Sequence, residues 1–265
     1  MNVLIIGCGN MGGAMLAGWL ASGVAPEQFT LVDPYLAEAP AGVSLLREVP
    51  AGQFDAVLLG VKPQMLDAAA PAIEPAIGSE TTLLSILAGV EVASLAQRFP
   101  RAGGIVRVMP NLAAAIGKSP IALFADTLGA DRRRAIDALM GWLGLVEWIE
   151  RESLFDAVTA LSGCGPAFVY RFIDAMAAAA TEIGLDPAQS QRLAVATVEG
   201  AALLAAASPH GPGELARRVA SPGGSTQKGL DVLDADGALA RLMAATLRAS
   251  RDRNAEMAEE ARRAE

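Results

Sequence analysis

The run "NVLIIGCGNMGGAM" at the start of the chain narrows most what it can fold into. Residues 2–6 are short, apolar and partly β-branched. Gly7, Gly9 and Gly12 then fall in a G-x-G-x-x-G pattern, and the apolar period lengthens to helical spacing at Met11, Met15, Leu16 and Trp19–Leu20, up to Gly23. A strand that enters a helix through three spaced glycines predicts the opening of a βαβ unit. The first glycine makes the tight turn, the second lets backbone approach a pyrophosphate, and the third lets helix and strand pack closely. The helix start adds partial positive charge. Gly7, Cys8, Gly9, Asn10, Met11 and Gly12 are therefore candidate cofactor-binding residues. The plainer alternative is a glycine turn in an α/β protein with no ligand.

Strand signals recur at residues 29–34, 55–61, 81–87, 103–111 and 121–125, with helical patterns interleaved. Such alternation predicts a Rossmann-like, doubly wound parallel sheet with right-handed crossovers. A helix at "DRRRAIDALMGWLG" and the short run "VEWIE" close this half. Ligands of such sheets bind at the carboxyl ends of the strands, which selects three further stretches. Asp33 ends the second strand some 20 residues after the glycines, where a carboxylate would bond a ribose 2′-hydroxyl and repel a 2′-phosphate, a lean toward NADH. It also precedes Pro34, as a turn-starting residue would. Val61, Lys62 and Pro63 follow the third strand, and Lys62 is one of only three lysines. Met109, Pro110 and Asn111 end the fifth, where backbone and an amide could lie beside a nicotinamide. An ordinary turn has the same composition.

From Glu152 onward the β signal stops and the chain reads as consecutive helices punctuated by Gly184, Asp186–Pro187, Pro209 and Pro212. The expected organisation is a dinucleotide-binding domain at 1–150 and an all-α domain at 151–265, a reasonable division for 265 residues. Aromatics are only 5% of the chain and hydrophobic residues 52%, so Ala, Val and Leu must do most of the packing. A net charge of -8 without any dense basic run argues against nucleic-acid or anionic-membrane partners. No basic n-region follows Met1, which predicts no secretory signal. "LAVATVEGAALLAAAS" is too short and too interrupted for a membrane span. Cys8 and Cys164 show no metal or CxxC spacing, so free thiols and a cytoplasmic setting are expected. The single histidine, His210, lies in a turn composition and is expected to face solvent. No triad or metal site can be built, and a reaction whose hard step belongs to a cofactor fits better.

Two loops in the helical half stand out. "ALSGCGPAF" breaks a helix with Gly163, Gly165 and Pro166 around Cys164. It is either a kink or a helix start whose bare N–H groups face a ligand. "VASPGGST" puts Ser221, Gly223, Gly224, Ser225 and Thr226 between two helices. A turn of this kind can form an anion nest, to which a helix starting at Ser225 or Thr226 would add its dipole. Ser or Thr acting as an N-cap explains one hydroxyl but not the pair of glycines.

Taken together, these stretches resemble the Δ1-pyrroline-5-carboxylate reductase family over essentially the whole chain. The carriers are "IIGCGNMGGAMLAG", "GVKPQ", "RVMPN", "DAVTALSGCGPAFVY" and "VASPGGSTQKGLDVLD", the last two in combination being the specific ones. The resemblance implies hydride transfer from NADPH or NADH to the C=N carbon of a cyclic imine acid, giving L-proline. It implies that Ser221, Gly223, Gly224, Ser225 and Thr226 hold the substrate carboxylate, with Gly163 and Cys164 also at the substrate. Thr226 matches the threonine proposed to bond the substrate nitrogen, and is the catalytic candidate. It further implies a homodimer through the C-terminal helices, in larger rings up to a decamer. Cys164 stands where the family more often has serine, and Ser225 where it has threonine or alanine. A β-hydroxyacid dehydrogenase is the nearest rival, but its catalytic lysine has no counterpart here, since no lysine lies between residues 119 and 227. A cofactor-sensing protein without turnover would have no use for a carboxylate nest.

Overall fold

β1 (Val3–Ile6) is buried at all four positions, as expected of a parallel strand covered on both faces. The computed structural model of the protein describes residues 1–263. β1 pairs in parallel with β2 (Phe29–Val32) and β4 (Ala56–Leu59), and the eight strands of the described residues run β3 (Ser44–Leu46), β2, β1, β4, β5 (Thr82–Ser85), β6 (Gly104–Met109), β7 (Ser119–Phe124) and β8 (Gly144–Trp148). β5 (Thr82–Ser85) and β6 (Gly104–Met109) extend the parallel run. Their connections carry α1 (Asn10–Ala21), α2 (Leu66–Ile73) and α3 (Val92–Arg98). β3 (Ser44–Leu46) is an edge strand that the sequence did not announce, because three residues are too short to show a period.

β7 (Ser119–Phe124) corrects the all-parallel expectation. It runs antiparallel to β6, with Arg107 opposite Phe124 and Met109 opposite Ala122. The link between them holds only the 3₁₀ turn Leu112–Ile116, and a parallel return needs a crossover of about a dozen residues or more. β8 (Gly144–Trp148) does have such a crossover, α4 (Ala130–Gly141), and pairs in parallel with β7.

Apolar clusters pack on both faces of the sheet. On one, Trp19 of α1 stacks on Phe29 of β2 at 5.2 Å, and its ring N–H reaches the Leu139 carbonyl of α4 at 2.8 Å. On the other, Leu66 and Ile73 of α2 and Leu95 of α3 cover Leu4, Val57 and Leu83. Beside β6, buried Arg107 is paired with Glu152 at 2.9 Å and lies 4.3 Å over the Phe155 ring. Glu152 also accepts the Val92 N–H, so one carboxylate ties strand, helix start and the following segment together.

The chain divides into two compact units, one formed by Met1–Gly163 with the segment from Ser250 onward, the other by Cys164–Ala249. α5 (Phe155–Val158) continues into a π-helical turn, Thr159–Gly163, at the end of the first stretch. The second unit is helical: α6 (Gly165–Glu182), α7 (Pro187–Ala207), α8 (Pro212–Val219) and α9 (Ser225–Asp234), followed by α10 (Ala238–Arg263), which runs on into the first unit. α7 begins as its sequence predicts, with the Asp186 side chain accepting the Gln189 N–H and Pro187 in the first turn. Among the described residues no single helix is long and apolar enough to cross a membrane. α7 and α8 reach that length only as a pair bent by 118°.

Candidate active site

The three glycines of the first loop are small for three different reasons. Gly7 has φ +84°, a left-handed conformation that other residues adopt only under strain. Gly12 has no room, because a Cβ there would sit 2.9 Å from the Gly7 carbonyl oxygen. Gly9 is constrained in neither way: its φ is -71°, and a Cβ would meet nothing within 4 Å. The fold therefore does not require glycine at position 9, and the bare backbone there suits an external group that must come close. Gly9 is the N-cap of α1 and the first helical bond runs from the Gly13 N–H to the Gly9 carbonyl, so the N–H groups of Asn10, Met11 and Gly12 have no acceptor within the helix. With no acidic residue in its first turn, this end favours a pyrophosphate, and the residues present fit a dinucleotide.

Asp33, at the end of β2, acts on this loop directly. Its Oδ2 accepts the Cys8 N–H at 2.9 Å, while Oδ1 accepts those of Tyr35 and Leu36 at 2.8 and 3.0 Å. Partial burial pushes the carboxyl toward the neutral form, but these three donors and the nearby Arg47 outweigh it and hold its pKa below the usual aspartate value. Cys8 responds in the opposite sense, its thiol raised first by burial and then by the Asp33 charge. Asp33 is thus both the turn-starting residue and a carboxylate on the ligand edge of the sheet.

The parallel strands bring the other selected stretches of this unit to the same edge. Val61, Lys62 and Pro63 follow β4, where the Gly60 N–H bonds the Ile6 carbonyl at 2.8 Å. Lys62 is exposed at the start of the 3₁₀ turn Pro63–Met65. Met109, Pro110 and Asn111 end β6, and Asn111 is buried. Its backbone N–H donates to Ser119 Oγ, its Oδ1 accepts the Ala113 N–H, and its Nδ2 donates to the Ser162 carbonyl, each at 2.9 Å. The Asn111 amide is therefore a clamp from strand end to π turn. Gly163 lies in the same place, since a Cβ on it would be 3.6 Å from Met109 Sδ. The break in "ALSGCGPAF" is this π turn, after which Cys164 is the N-cap of α6. Neither the Ser119 partnership nor the Asn111 clamp has a signal in the sequence beyond an asparagine placed before a turn.

Ser221, Gly223, Gly224, Ser225 and Thr226 belong to the second unit, between α8 and α9. The Gly224 N–H bonds the Ser221 carbonyl at 2.9 Å across a turn with Pro222 second and Gly223 third. Gly223 has φ +73°, which that turn demands. At Gly224 a Cβ would lie 3.1 Å from the Ser221 carbonyl oxygen. The helix begins at Ser225, and the alternative in which Ser or Thr caps it does not hold: the N-cap is Gly224, and no side chain caps it. The first helical bond, Lys228 N–H to Gly224 carbonyl at 3.1 Å, leaves the N–H groups of Ser225, Thr226 and Gln227 without a helical acceptor. The Ser221, Ser225 and Thr226 side chains are exposed, and their hydroxyls enter none of the internal hydrogen bonds among the described residues. Such a cluster of bare N–H and O–H donors is what a carboxylate needs. His210 departs from expectation in being half-buried, in a turn where its N–H meets Ser208 Oγ at 3.0 Å. Among the described residues no group of three or more His, Cys, Asp or Glu could hold a metal.

The glycine loop, the strand order and the ligand edge define a Rossmann-type dinucleotide-binding oxidoreductase with an appended helical unit. Residues 152–257 match the family described as pyrroline-5-carboxylate reductase dimerisation, and residues 2–89 match one described as NADP oxidoreductase, coenzyme F420-dependent. The pyrroline-5-carboxylate reductase of Pseudomonas aeruginosa is 34% identical, with 98% of this chain and 97% of the relative covered. That of Methanosarcina acetivorans is 37% identical over 92% and 94%. The solved structure described as a pyrroline-5-carboxylate reductase from Coxiella burnetii superposes with TM-score 0.89 at 29% identity, covering 96% of this chain and 97% of that one. The chain belongs to the pyrroline-5-carboxylate reductase family.

Proposed function

We infer that this protein reduces the C=N bond of 1-pyrroline-5-carboxylate to give L-proline, using NADPH or NADH. The observation that carries the reading is the Ser221–Thr226 turn, whose hydroxyls and helix-start N–H groups are exposed and unspent in a chain of this family. The substrate carboxylate is held by the Ser221, Gly223 and Ser225 donors, while Gly224, whose own N–H is spent on the Ser221 carbonyl, lets it come close by having no side chain. Thr226 Oγ1 bonds the ring nitrogen, and Gly163 and Cys164 border the ring. Gly7, Cys8, Gly9, Asn10, Met11 and Gly12 hold the pyrophosphate, Asp33 the adenosine ribose, and Val61, Lys62, Pro63, Met109, Pro110 and Asn111 the nicotinamide end. When bound, the reduced nicotinamide supplies the hydride. The protein contributes orientation and shelter from water, which suffice for a protonated imine already electrophilic at carbon. No imidazole or lysine base is needed.

In this reading residues 1–150 serve the dinucleotide and 151–265 serve substrate and assembly. The protein is a homodimer through its C-terminal helices, and the dimers build a larger ring such as a decamer. Exposed Tyr170, Ile183, Leu204 and Val232, and a groove of about 600 Å³ between α6 and α7, support an assembly face. Two free cysteines, Cys8 and Cys164, support a reducing, cytoplasmic setting.

The test is the loss of 340 nm absorbance with each cofactor. Oxidation of NADH or NADPH is expected only when pyrroline-5-carboxylate is supplied. Thr226→Ala should lower kcat roughly tenfold or more, the scale of one hydrogen bond to a charged group, without weakening dinucleotide binding. No substrate-dependent oxidation with either cofactor would end the assignment.

A further inference from the structure

Arg47 follows β3, the short edge strand, and its guanidinium returns to the turn after β2. Nη1 donates to the Asp33 carbonyl and to the Leu36 carbonyl, both at 2.7 Å. The Asp33 N–H in turn bonds the Leu46 carbonyl at 3.2 Å, which fixes the end of β3 beside the end of β2. Nε and Nη2 make no internal hydrogen bond among the described residues, so three N–H donors on the outer edge of the fork stay open while the inner nitrogen is pinned. Asp33 is in the complementary condition. Oδ1 takes two backbone N–H groups, and Oδ2 takes one from Cys8, leaving a single acceptor position on that oxygen.

We propose that Arg47 admits a 2′-phosphate on the adenosine ribose, so that the site takes NADPH although the strand ends in Asp33. This rests on the dinucleotide reading of the glycine loop. Two groups of opposite charge then divide the cofactors between them. The remaining Oδ2 position of Asp33 accepts a ribose hydroxyl. The open edge of Arg47, held in place by two carbonyls, receives phosphate oxygens in the forked geometry that guanidinium prefers. Backbone donors already disperse much of the Asp33 charge, which lessens its repulsion of the phosphate. An acidic residue at this strand end, taken alone, points to NADH, and Arg47 is what changes that expectation.

The full protein is titrated calorimetrically with 2′,5′-ADP and with 5′-ADP, neither of which turns over. Wild type should bind 2′,5′-ADP at least as tightly as 5′-ADP. Arg47→Gln keeps an amide donor near the carbonyls but removes the charge, and should weaken 2′,5′-ADP about tenfold while moving 5′-ADP less than twofold. Arg47→Lys should fall between, and the NADPH to NADH ratio of kcat/KM should drop with the same ranking. Equal weakening of both nucleotides would show that Arg47 only buttresses the turn and overturn the proposal. So would a wild type that binds 2′,5′-ADP far more weakly than 5′-ADP. Binding of neither nucleotide by wild type would overturn the dinucleotide reading as well, a distinguishable result.

Discussion

Gly7, Gly9 and Gly12 occupy one motif, yet a methyl group would do something different at each. At Gly7 it would strain a left-handed turn, and at Gly12 it would press on a carbonyl oxygen. At Gly9 it would project into open space from an ordinary backbone conformation. Gly9→Ala should therefore leave the melting temperature within about a degree of wild type and yet weaken NADH and NADPH binding about tenfold or more, measured by fluorescence titration. A Gly9→Ala protein that melts early would show that the residue serves the fold instead. Asp33 was legible as an acidic residue on the ligand edge. Its bonds to the Tyr35 and Leu36 N–H groups are those of the turn-starting residue, but its grip on the Cys8 N–H was not legible, since that bond depends on how loops 25 residues apart meet.

Strand ends and helix starts do most of the positioning. β1, β4, β5 and β6 are parallel, so residues spread from Gly7 to Asn111 emerge at one edge. The π turn Thr159–Gly163 is held to that edge by the Asn111 clamp. Asn111→Ala would strip partners from the part-buried Ser162 carbonyl and Ala113 N–H together, at about 1 kcal/mol for each group left unsatisfied. The expected outcome is a clear fall in the urea midpoint and, with Gly163 displaced, a rise in KM for the imine acid. An unchanged midpoint would mean that water replaces the clamp. Most elements could be read from periodicity: the strand before the glycines, the helix capped by Asp186, and the two helices flanking the Ser221 turn. β3 was too short to read. The direction of β7 could not be read either, because it follows from how far a nine-residue link can reach and not from the pattern of the strand itself.

For the whole molecule, the helical unit contrasts with the sheet. Every position of β1, β4 and β5 is buried, whereas Tyr170, Ile183, Leu204 and Val232 stand at 68%, 85%, 72% and 72% exposure. Side chains of this size left open along consecutive helices are the signature of a surface completed by another copy. Leu204→Glu should shift the protein toward monomer in light scattering and abolish reductase activity, while 2′,5′-ADP still binds. Unchanged mass would place the interface elsewhere.

By itself the amino-acid sequence determined the alternation of strand and helix, the switch to helices near residue 150, and the bare turns at Gly7–Gly12 and Ser221–Thr226. These depend on spacing between near neighbours, and a backbone with no side chain is visible in any reading. Tertiary structure alone decided that β7 runs backwards, that Gly224 and not a hydroxyl residue caps α9, and that Asn111 clamps Ser162 across 51 positions. It also placed Arg47 on the Asp33 turn. The first follows from the reach of a short link and the second from the local turn, while the Asn111 and Arg47 contacts share one physical reason. Hydrogen-bonding groups must find partners once water is removed, and which partner is within reach is known only after distant segments have packed.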